Sequence, residues 1–356
     1  MSDIVVVEYS DLIAANGEDD PSILQRIEQA FGASGYGILA IRGVPGFVEA
    51  KNACLTQAYD LAHLKPEELN ALEDPVSWYN AGWSHGKEML KDNQPDLAKA
   101  SFYFNPMTDV PGTAEERVKY PVSYPLNKWP HDALPALEPA SKHLGCLMKN
   151  VAVYLSKYID TYAQSQCPAY PTSMLYNAMK ETEKVKGRLL YYYPLAGSDD
   201  SPDSWIGFHN DSGYLTALAG DIYLDPDGTL LKECPSPDAG LYVEDRNQNV
   251  VQVTIPSDCM AIQMGECTQI VTGGAVVATP HCVKGAPNLV RVSLACFIDV
   301  PPSTPVSAPP GTSQEAILAK ESKRVPPLAK RWQDGMTFGD FLGKTFQMYY
   351  EWTETS

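Results

Sequence analysis

The sequence predicts a mainly β protein with flanking helices: a jelly-roll core, an α/β region before it and a C-terminal helix after it. From Gly187 to about Val300, short runs rich in Val, Ile, Tyr and Thr alternate with clusters of Gly, Pro, Asn and Asp. This nearly regular spacing is typical of an antiparallel sandwich or barrel. Before and after this region, apolar residues recur at helical spacing instead.

The N-terminal region mixes helices with short strands. Val5 to Val7 is a short extended segment, and Asp20-Pro21 predicts a helix start, because Asp is a good N-cap and Pro favours the first helical position. A buried strand is expected from Gly37 to Ile41. Further helices are expected from Phe47 to about Leu61 and from Pro66 onward.

The middle of the chain predicts one long helix. Residues 75–130 lack clean periodicity and are rich in aromatic residues, Pro and Gly, which fits an ordered pocket wall or satellite core. From Asp132 to about Tyr162, apolar residues keep a helical period, so we expect an amphipathic helix packed along the sheet. Phe338 to Trp352 predicts a terminal helix. We divide the chain into an N-terminal region (1–130), connecting long helices (131–183), a jelly-roll core (184–301) and a proline-rich loop with the C-terminal helix (302–356).

Two hairpins are expected within the β region. LYVEDRNQNVVQVTI predicts a hairpin that turns at Arg246 to Asn249. QIVTGGAVVATP predicts a second one that turns at Gly273-Gly274. Both fit a jelly roll.

Composition excludes several classes of partner. The chain has 356 residues, a formal charge of −17 and no Lys or Arg run, so nucleic acid is not expected to bind. No stretch of 18 apolar residues predicts a membrane span, and the acidic N-terminus does not resemble a signal peptide. The eight scattered cysteines contain no CxxC pair, which fits free thiols. We expect a cytoplasmic protein, with a monomer favoured.

A short motif predicts a metal centre. His209 and Asp211 are two apart in an extended segment, so both side chains point to one face and can bind one ion. His281 is the distal candidate for a third ligand. Two histidines and one carboxylate leave open positions, as in iron(II) oxygenases, although zinc can use the same set.

Arg291 and Ser293 predict a carboxylate site on a later strand. Their side chains also share one face, ten and twelve residues after His281. A guanidinium and a hydroxyl suit the distal carboxylate of 2-oxoglutarate, whose keto acid end would chelate iron. This co-substrate site favours iron over zinc.

The chain resembles the isopenicillin N synthase-like branch of the iron(II)- and 2-oxoglutarate-dependent dioxygenases over most of its length. The segments that carry the resemblance are ILQRIEQAFGASGYGILAIRGVP, GWSHGKE, NKWP, FHNDSGYLTAL, GLYVEDRNQNVVQV, GGAVVATPHCV and VRVSLACF. It implies a double-stranded β-helix in which His209, Asp211 and His281 bind iron. It also implies that Arg291 and Ser293, assisted by Tyr193, bind 2-oxoglutarate.

The resemblance further implies oxidation of a small molecule, most simply hydroxylation, with O2 as the second co-substrate and release of succinate and CO2. Three residues depart from the family pattern: Tyr191 and Gln263 replace asparagines, and Glu266 replaces an aspartate. They put the shape of the co-substrate pocket in question.

Three alternatives stay open. An oxidase or cyclase of the same fold would keep Arg291 and Ser293 without using 2-oxoglutarate. A non-catalytic binding protein would keep the fold alone, and a zinc hydrolase would need a general base that the sequence does not offer near the ligands. Aromatic residues are expected to line the substrate pocket, with core packing as the alternative; the candidates are Phe297, Trp83, Tyr103 and Phe346.

Overall fold

The structure is a computed structural model that describes residues 4–17, 20–88, 94–194, 205–318 and 322–351. The strands in these ranges are β1 (Val5–Glu8), β2 (Ile38–Arg42), β3 (Gly82–His85), β4 (Lys99–Phe104), β5 (Val185–Tyr192), β6 (Ile206–His209), β7 (Leu215–Leu224), β8 (Gly240–Glu244), β9 (Val250–Val253), β10 (Cys259–Met264), β11 (His281–Lys284) and β12 (Val290–Ile298).

The helices lie between these strands in the sequence and after the last of them. They are α1 (Tyr9–Ala15), α2 (Pro21–Phe31), α3 (Phe47–Leu55), α4 (Gln57–Ala62), α5 (Pro66–Leu72), a 3₁₀ turn (Pro75–Ser77), α6 (Ala114–Lys119), α7 (Leu137–Gln166), α8 (Met174–Glu181), α9 (Glu266–Val271), α10 (Gln314–Leu318), α11 (Leu328–Arg331) and α12 (Phe338–Glu351). Across the described ranges, none of these helices has the length and apolar character needed to cross a membrane.

The strands form two sheets that enclose a cavity. The major sheet has the order β1-β2-β10-β7-β12-β5-β4-β3, and the minor sheet has the order β6-β11-β8-β9. Side chains from both sheets line the cavity between them. The predicted fold class, a jelly-roll core with flanking helices, is confirmed.

Helix α7 packs against the major sheet. Its apolar residues Leu144, Met148 and Leu155 are fully buried in the larger hydrophobic core, together with residues of α2, α3 and β7. The helix begins five residues later than predicted, at Leu137, because residues 131–136 form turns around Pro135. It provides a fixed support behind the strands that carry the cavity residues.

Several local predictions are confirmed. The Asp20 side chain accepts hydrogen bonds from the backbone N–H groups of Ser22 and Ile23 at the start of α2. The first hairpin forms as expected: Glu244 of β8 pairs with Val250 of β9, and residues 245–249 make the turn. The predicted helix over 47–61 is interrupted at Thr56 and continues as α4.

The second predicted hairpin is wrong. Residues 266–271 form α9, and Gly273 and Gly274 end it with positive φ angles of 65° and 84°. The Gly274 N–H donates to the Gln269 carbonyl and the Gly273 N–H donates to the Ile270 carbonyl, which is a Schellman cap. Two adjacent glycines satisfy this cap as well as a hairpin turn, so the sequence pattern was ambiguous.

Candidate active site

The three predicted metal ligands meet on the minor sheet. His209 ends β6, His281 begins β11, and the two residues are paired across these antiparallel strands. Asp211 follows two residues after His209, so its carboxylate reaches the same point. One ligand atom from each residue lies within 4.8 Å of the other two, and Nε2 of His281 is 4.0 Å from Oδ1 of Asp211.

Both imidazoles are oriented through Nδ1. The Nδ1 atom of His209 lies 2.9 Å from the Gly207 carbonyl, and that of His281 lies 3.1 Å from the Thr279 carbonyl. The side-chain amide of Gln263 is also 2.8 Å from Nδ1 of His281. When Nδ1–H donates to its backbone carbonyl, Nε2 of each ring carries the lone pair and is left to bind a metal.

The electrostatics of the site fit a divalent cation. Burial in the cavity and the adjacent His281 lower the pKa of His209 to about 4, so its imidazole is neutral at pH 7, as a metal ligand must be. The Oδ2 atom of Asp211 is buried and has no hydrogen-bond partner among the described residues. Buried carboxylate oxygens are normally satisfied, and a metal ion would satisfy this one.

Arg291 and Ser293 lie on β12 of the major sheet, and both line the same cavity as the three ligands. The Arg291 guanidinium lies over the Tyr192 ring at 4.6 Å, and its Nη2 donates to Asp221 at 2.7 Å. Its Nε and Nη1 atoms are buried without a partner among the described residues. Two unsatisfied donors on a fixed cation suit an incoming carboxylate.

A β-bulge places Asp221 beside Arg291. In the pairing of β7 with β12, Asp221 is opposite Ser293 but Leu218 is opposite Ala295, so one extra residue lies between them on β7. Gly220 adopts the positive φ of 72° at this bulge, and the side chains of both Leu218 and Asp221 consequently line the cavity. We did not predict Asp221, although an isolated glycine within a strand pattern is a signal for a bulge.

Tyr193 lies elsewhere than the resemblance implied. Its ring stacks on His85 at 4.9 Å and contacts Tyr191 at 4.9 Å, and it does not line the cavity. Side chains alternate across a strand, so the neighbouring Tyr192 is the one that faces Arg291. Tyr192 therefore lies next to Arg291, as does Tyr223, which is paired with Arg291 on β7 and also lines the cavity.

Of the three departures from the family pattern, Gln263 alone lines the cavity. Tyr191 points to the opposite face of the major sheet, where it contacts Tyr59 of α4. Glu266 is buried at the start of α9 and forms an ion pair with Arg331. The change at Gln263 is thus the one that directly shapes the pocket.

The cavity has a volume of about 890 Å³ and extends beyond the three predicted metal ligands and Arg291. Phe297 lines it, as expected. Trp83 is instead part of the larger hydrophobic core, and Phe346 is exposed on α12. Tyr103 lies behind the cavity wall, where its ring contacts the guanidinium of Arg188, a residue that does line the cavity.

No family model and no curated protein matches the sequence. Many solved structures are similar to this chain, several of them along nearly its whole length. A putative 2OG-Fe(II) oxygenase family protein from Caulobacter crescentus has 19% identity and a TM-score of 0.66, with 97% of this chain and 99% of that chain covered. A full-length Neurospora crassa protein in complex with alpha-KG has 18% identity and a TM-score of 0.63, with 95% of this chain and 94% of that chain covered.

The dioxygenase for auxin oxidation in rice has 17% identity and a TM-score of 0.63, with 97% of this chain and 96% of that chain covered. At these identities the likeness concerns the path of the backbone. The chain therefore shares the fold of structures described as 2OG-Fe(II) oxygenases.

Proposed function

We propose that this protein is an iron(II)- and 2-oxoglutarate-dependent dioxygenase that oxidises a small molecule. In this proposal His209, Asp211 and His281 bind the iron, and Arg291 and Ser293 bind the distal carboxylate of 2-oxoglutarate. Tyr192 takes the supporting place beside Arg291 that the resemblance had given to Tyr193. The fold shared with 2OG-Fe(II) oxygenases supports this assignment.

The observation that carries the proposal is the pairing of two unsatisfied sites in one cavity. Asp211 has a buried oxygen without a partner, and Arg291 has two buried nitrogens without one, counted among the described residues. Leaving such groups unsatisfied costs about 1–3 kcal/mol each, and more when they are charged. A divalent metal and an anionic ligand would satisfy both sites together.

Iron(II) in a two-histidine, one-carboxylate site supplies the activation of O2 and the oxidation of a C–H bond. The chain's own residues hold the reactants and exclude water. Phe297 and Leu190 give the cavity an apolar wall, and Arg188 gives it a further cation. An interior cavity of this size suits a small-molecule substrate rather than a protein.

One observation favours a second function, an iron oxidase of the same fold that does not use 2-oxoglutarate. Asp221 already neutralises the charge of Arg291 through the 2.7 Å contact. In such an oxidase this ion pair would have a structural role, and no keto acid would need to bind. Succinate formation distinguishes the two functions.

The test is oxygen uptake by anaerobically iron-loaded protein, with and without 2-oxoglutarate, together with a succinate assay. We expect succinate to form in step with oxygen uptake, even slowly without the primary substrate, and to disappear in His281→Ala. Iron binding without succinate, followed by turnover of a screened substrate in the absence of 2-oxoglutarate, would favour the oxidase. Failure of the wild-type protein to bind iron would refute both functions.

A further inference from the structure

We propose that the C-terminal segment, which contains α11 and α12, positions the metal ligands. Tyr349 directly, and Arg331 through Glu266, hold the loop that carries His209 and Asp211. This inference rests on the proposed function only in taking these two residues as metal ligands. Tyr349, Arg331 and Glu266 are positioning residues in this view, since none of them is a ligand of the metal.

The key residue is Asn210, which stands between the two ligands in the chain. Its backbone N–H donates to the Tyr349 hydroxyl at 2.9 Å, and its side-chain Nδ2 donates to Glu266 Oε1 at 2.9 Å. The backbone N–H of Glu266 donates in turn to the Asp211 carbonyl at 2.8 Å. A rotation of the backbone at residue 210 would move both ligands, so these bonds fix their relative position.

Glu266 is itself held by Arg331. Its Oε1 and Oε2 accept from Nη2 and Nη1 of Arg331 at 2.5 and 2.6 Å, which is a bidentate pair. Arg331 also donates to the Pro326 carbonyl through Nε and Nη2, and to Thr345 Oγ1 of α12 through Nη1. All five N–H donors of the guanidinium therefore have acceptors. This arrangement fixes the Glu266 carboxylate toward Asn210.

A purely structural role does not explain this arrangement well. The side chains of Arg331 and Glu266 are 0% and 2% exposed, and a buried ion pair is often no more stabilising than apolar residues of similar volume. The pair does, however, set the direction of one carboxylate with high geometric specificity. The third bond of that carboxylate goes to the residue between two metal ligands.

Tyr349 provides the second contact from the same segment. Burial and the nearby Glu266 carboxylate raise the pKa of its hydroxyl, so it stays protonated and neutral at all working pH values. Its ring also lies against the Arg331 guanidinium at 5.9 Å. The C-terminal helix and α11 thus act on Asn210 as one unit, through its backbone and its side chain.

The test is titration of the metal-free protein with Co²⁺, which reports affinity and, through its visible absorption, the geometry of the ligands. We expect Tyr349→Phe to weaken Co²⁺ binding about tenfold and to change the absorption spectrum, because outer contacts of ligands typically contribute 10- to 100-fold in affinity. Arg331→Lys keeps the charge but loses the bidentate geometry, and we expect a loss of the same order.

Tyr158→Phe is the matched control. The Tyr158 hydroxyl also accepts a backbone N–H, from Gly17, and donates to the Leu12 carbonyl, but it lies on α7. This variant should lower the thermal midpoint without changing Co²⁺ affinity or absorption. Unchanged Co²⁺ affinity in folded Tyr349→Phe and Arg331→Lys would overturn the inference. An equal loss of Co²⁺ affinity in Tyr158→Phe would overturn it as well. If the wild-type protein bound no Co²⁺, the metal site itself would be refuted.

Discussion

Replacing Arg291 by glutamine should sharply weaken the binding of 2-oxoglutarate. The guanidinium has two buried nitrogens, Nε and Nη1, without a partner among the described residues. They lie on different edges of the guanidinium, so a single carboxylate accepts from one of them. Hydrogen bonds to charged groups contribute about 1.5–3 kcal/mol each. One such bond gives a loss of about 1.5–3 kcal/mol, which is on the order of ten- to a hundredfold in Kd.

Asp221 complicates this variant, because its carboxylate loses the 2.7 Å contact with Arg291 and would then repel an incoming anion. The double variant Arg291→Gln/Asp221→Asn removes that charge, and most of the loss should persist in it. Ser293→Ala removes one neutral donor and should cost about 1 kcal/mol, or about fivefold.

The assay is calorimetric titration of 2-oxoglutarate into anaerobic iron-loaded protein. The visible absorption of Co²⁺-loaded samples provides a check that the metal ligands are intact in each variant. Equal Kd values for the wild-type protein and Arg291→Gln would refute the assignment of the carboxylate site. Recovery of wild-type affinity in the double variant would mean that repulsion by Asp221, rather than the missing guanidinium, caused the loss.

Two further predictions concern Gly220 in the cavity wall and the lysine Lys186 on β5. Gly220→Ala should lower the free energy of unfolding by about 1–2 kcal/mol, because φ is 72° there, and it should also weaken 2-oxoglutarate binding. Gly311→Ala is the control, because Gly311 has a φ of 80° but lies in open space. It should lower the free energy of unfolding in urea by a similar amount and leave 2-oxoglutarate binding unchanged. Burial and the neighbouring charge of Lys184 lower the pKa of Lys186 to about 7. The unfolded chain keeps that proton up to about pH 10.4, so Lys186 destabilises the folded state most below pH 7 and progressively less as pH rises toward 10. The free energy of unfolding of Lys186→Met should therefore exceed that of the wild-type protein most at pH 7 and below. Urea unfolding at pH 7, 8 and 9 should show this difference shrinking as the pH rises, and a constant difference would contradict the prediction.

Periodicity and cap signals predicted much of the fold. The helix that starts at Pro21 and the hairpin of β8 and β9 follow from local preferences, because Asp20 and the Asp245 turn satisfy the backbone within a few residues. Two of the three proposed metal ligands were also predicted locally, since His209 and Asp211 are two apart in an extended segment. Local signals suffice where the partners are close in the chain.

The parts that were missed depend on distant partners. Nothing near Glu266 indicates that its carboxylate meets Arg331, 65 residues later. The choice between Tyr192 and Tyr193 depends on the pairing register of β5 with β12, in which Tyr192 is opposite Arg291. A shift of one residue moves every side chain to the other face, and no local pattern in a run of three tyrosines sets that register.

The division of the site between the two sheets has a consequence for the dynamics of the protein. His209 and His281 belong to the four-stranded sheet, whereas Arg291 and Ser293 belong to the eight-stranded sheet. A ligand that bridged a metal at these histidines and Arg291 would act as a cross-link between the two sheets, and its binding free energy would oppose their separation. Co-substrate concentration would then set how often the smaller sheet opens, and slower amide hydrogen exchange in β8 and β9 would report it even though neither strand carries a proposed ligand.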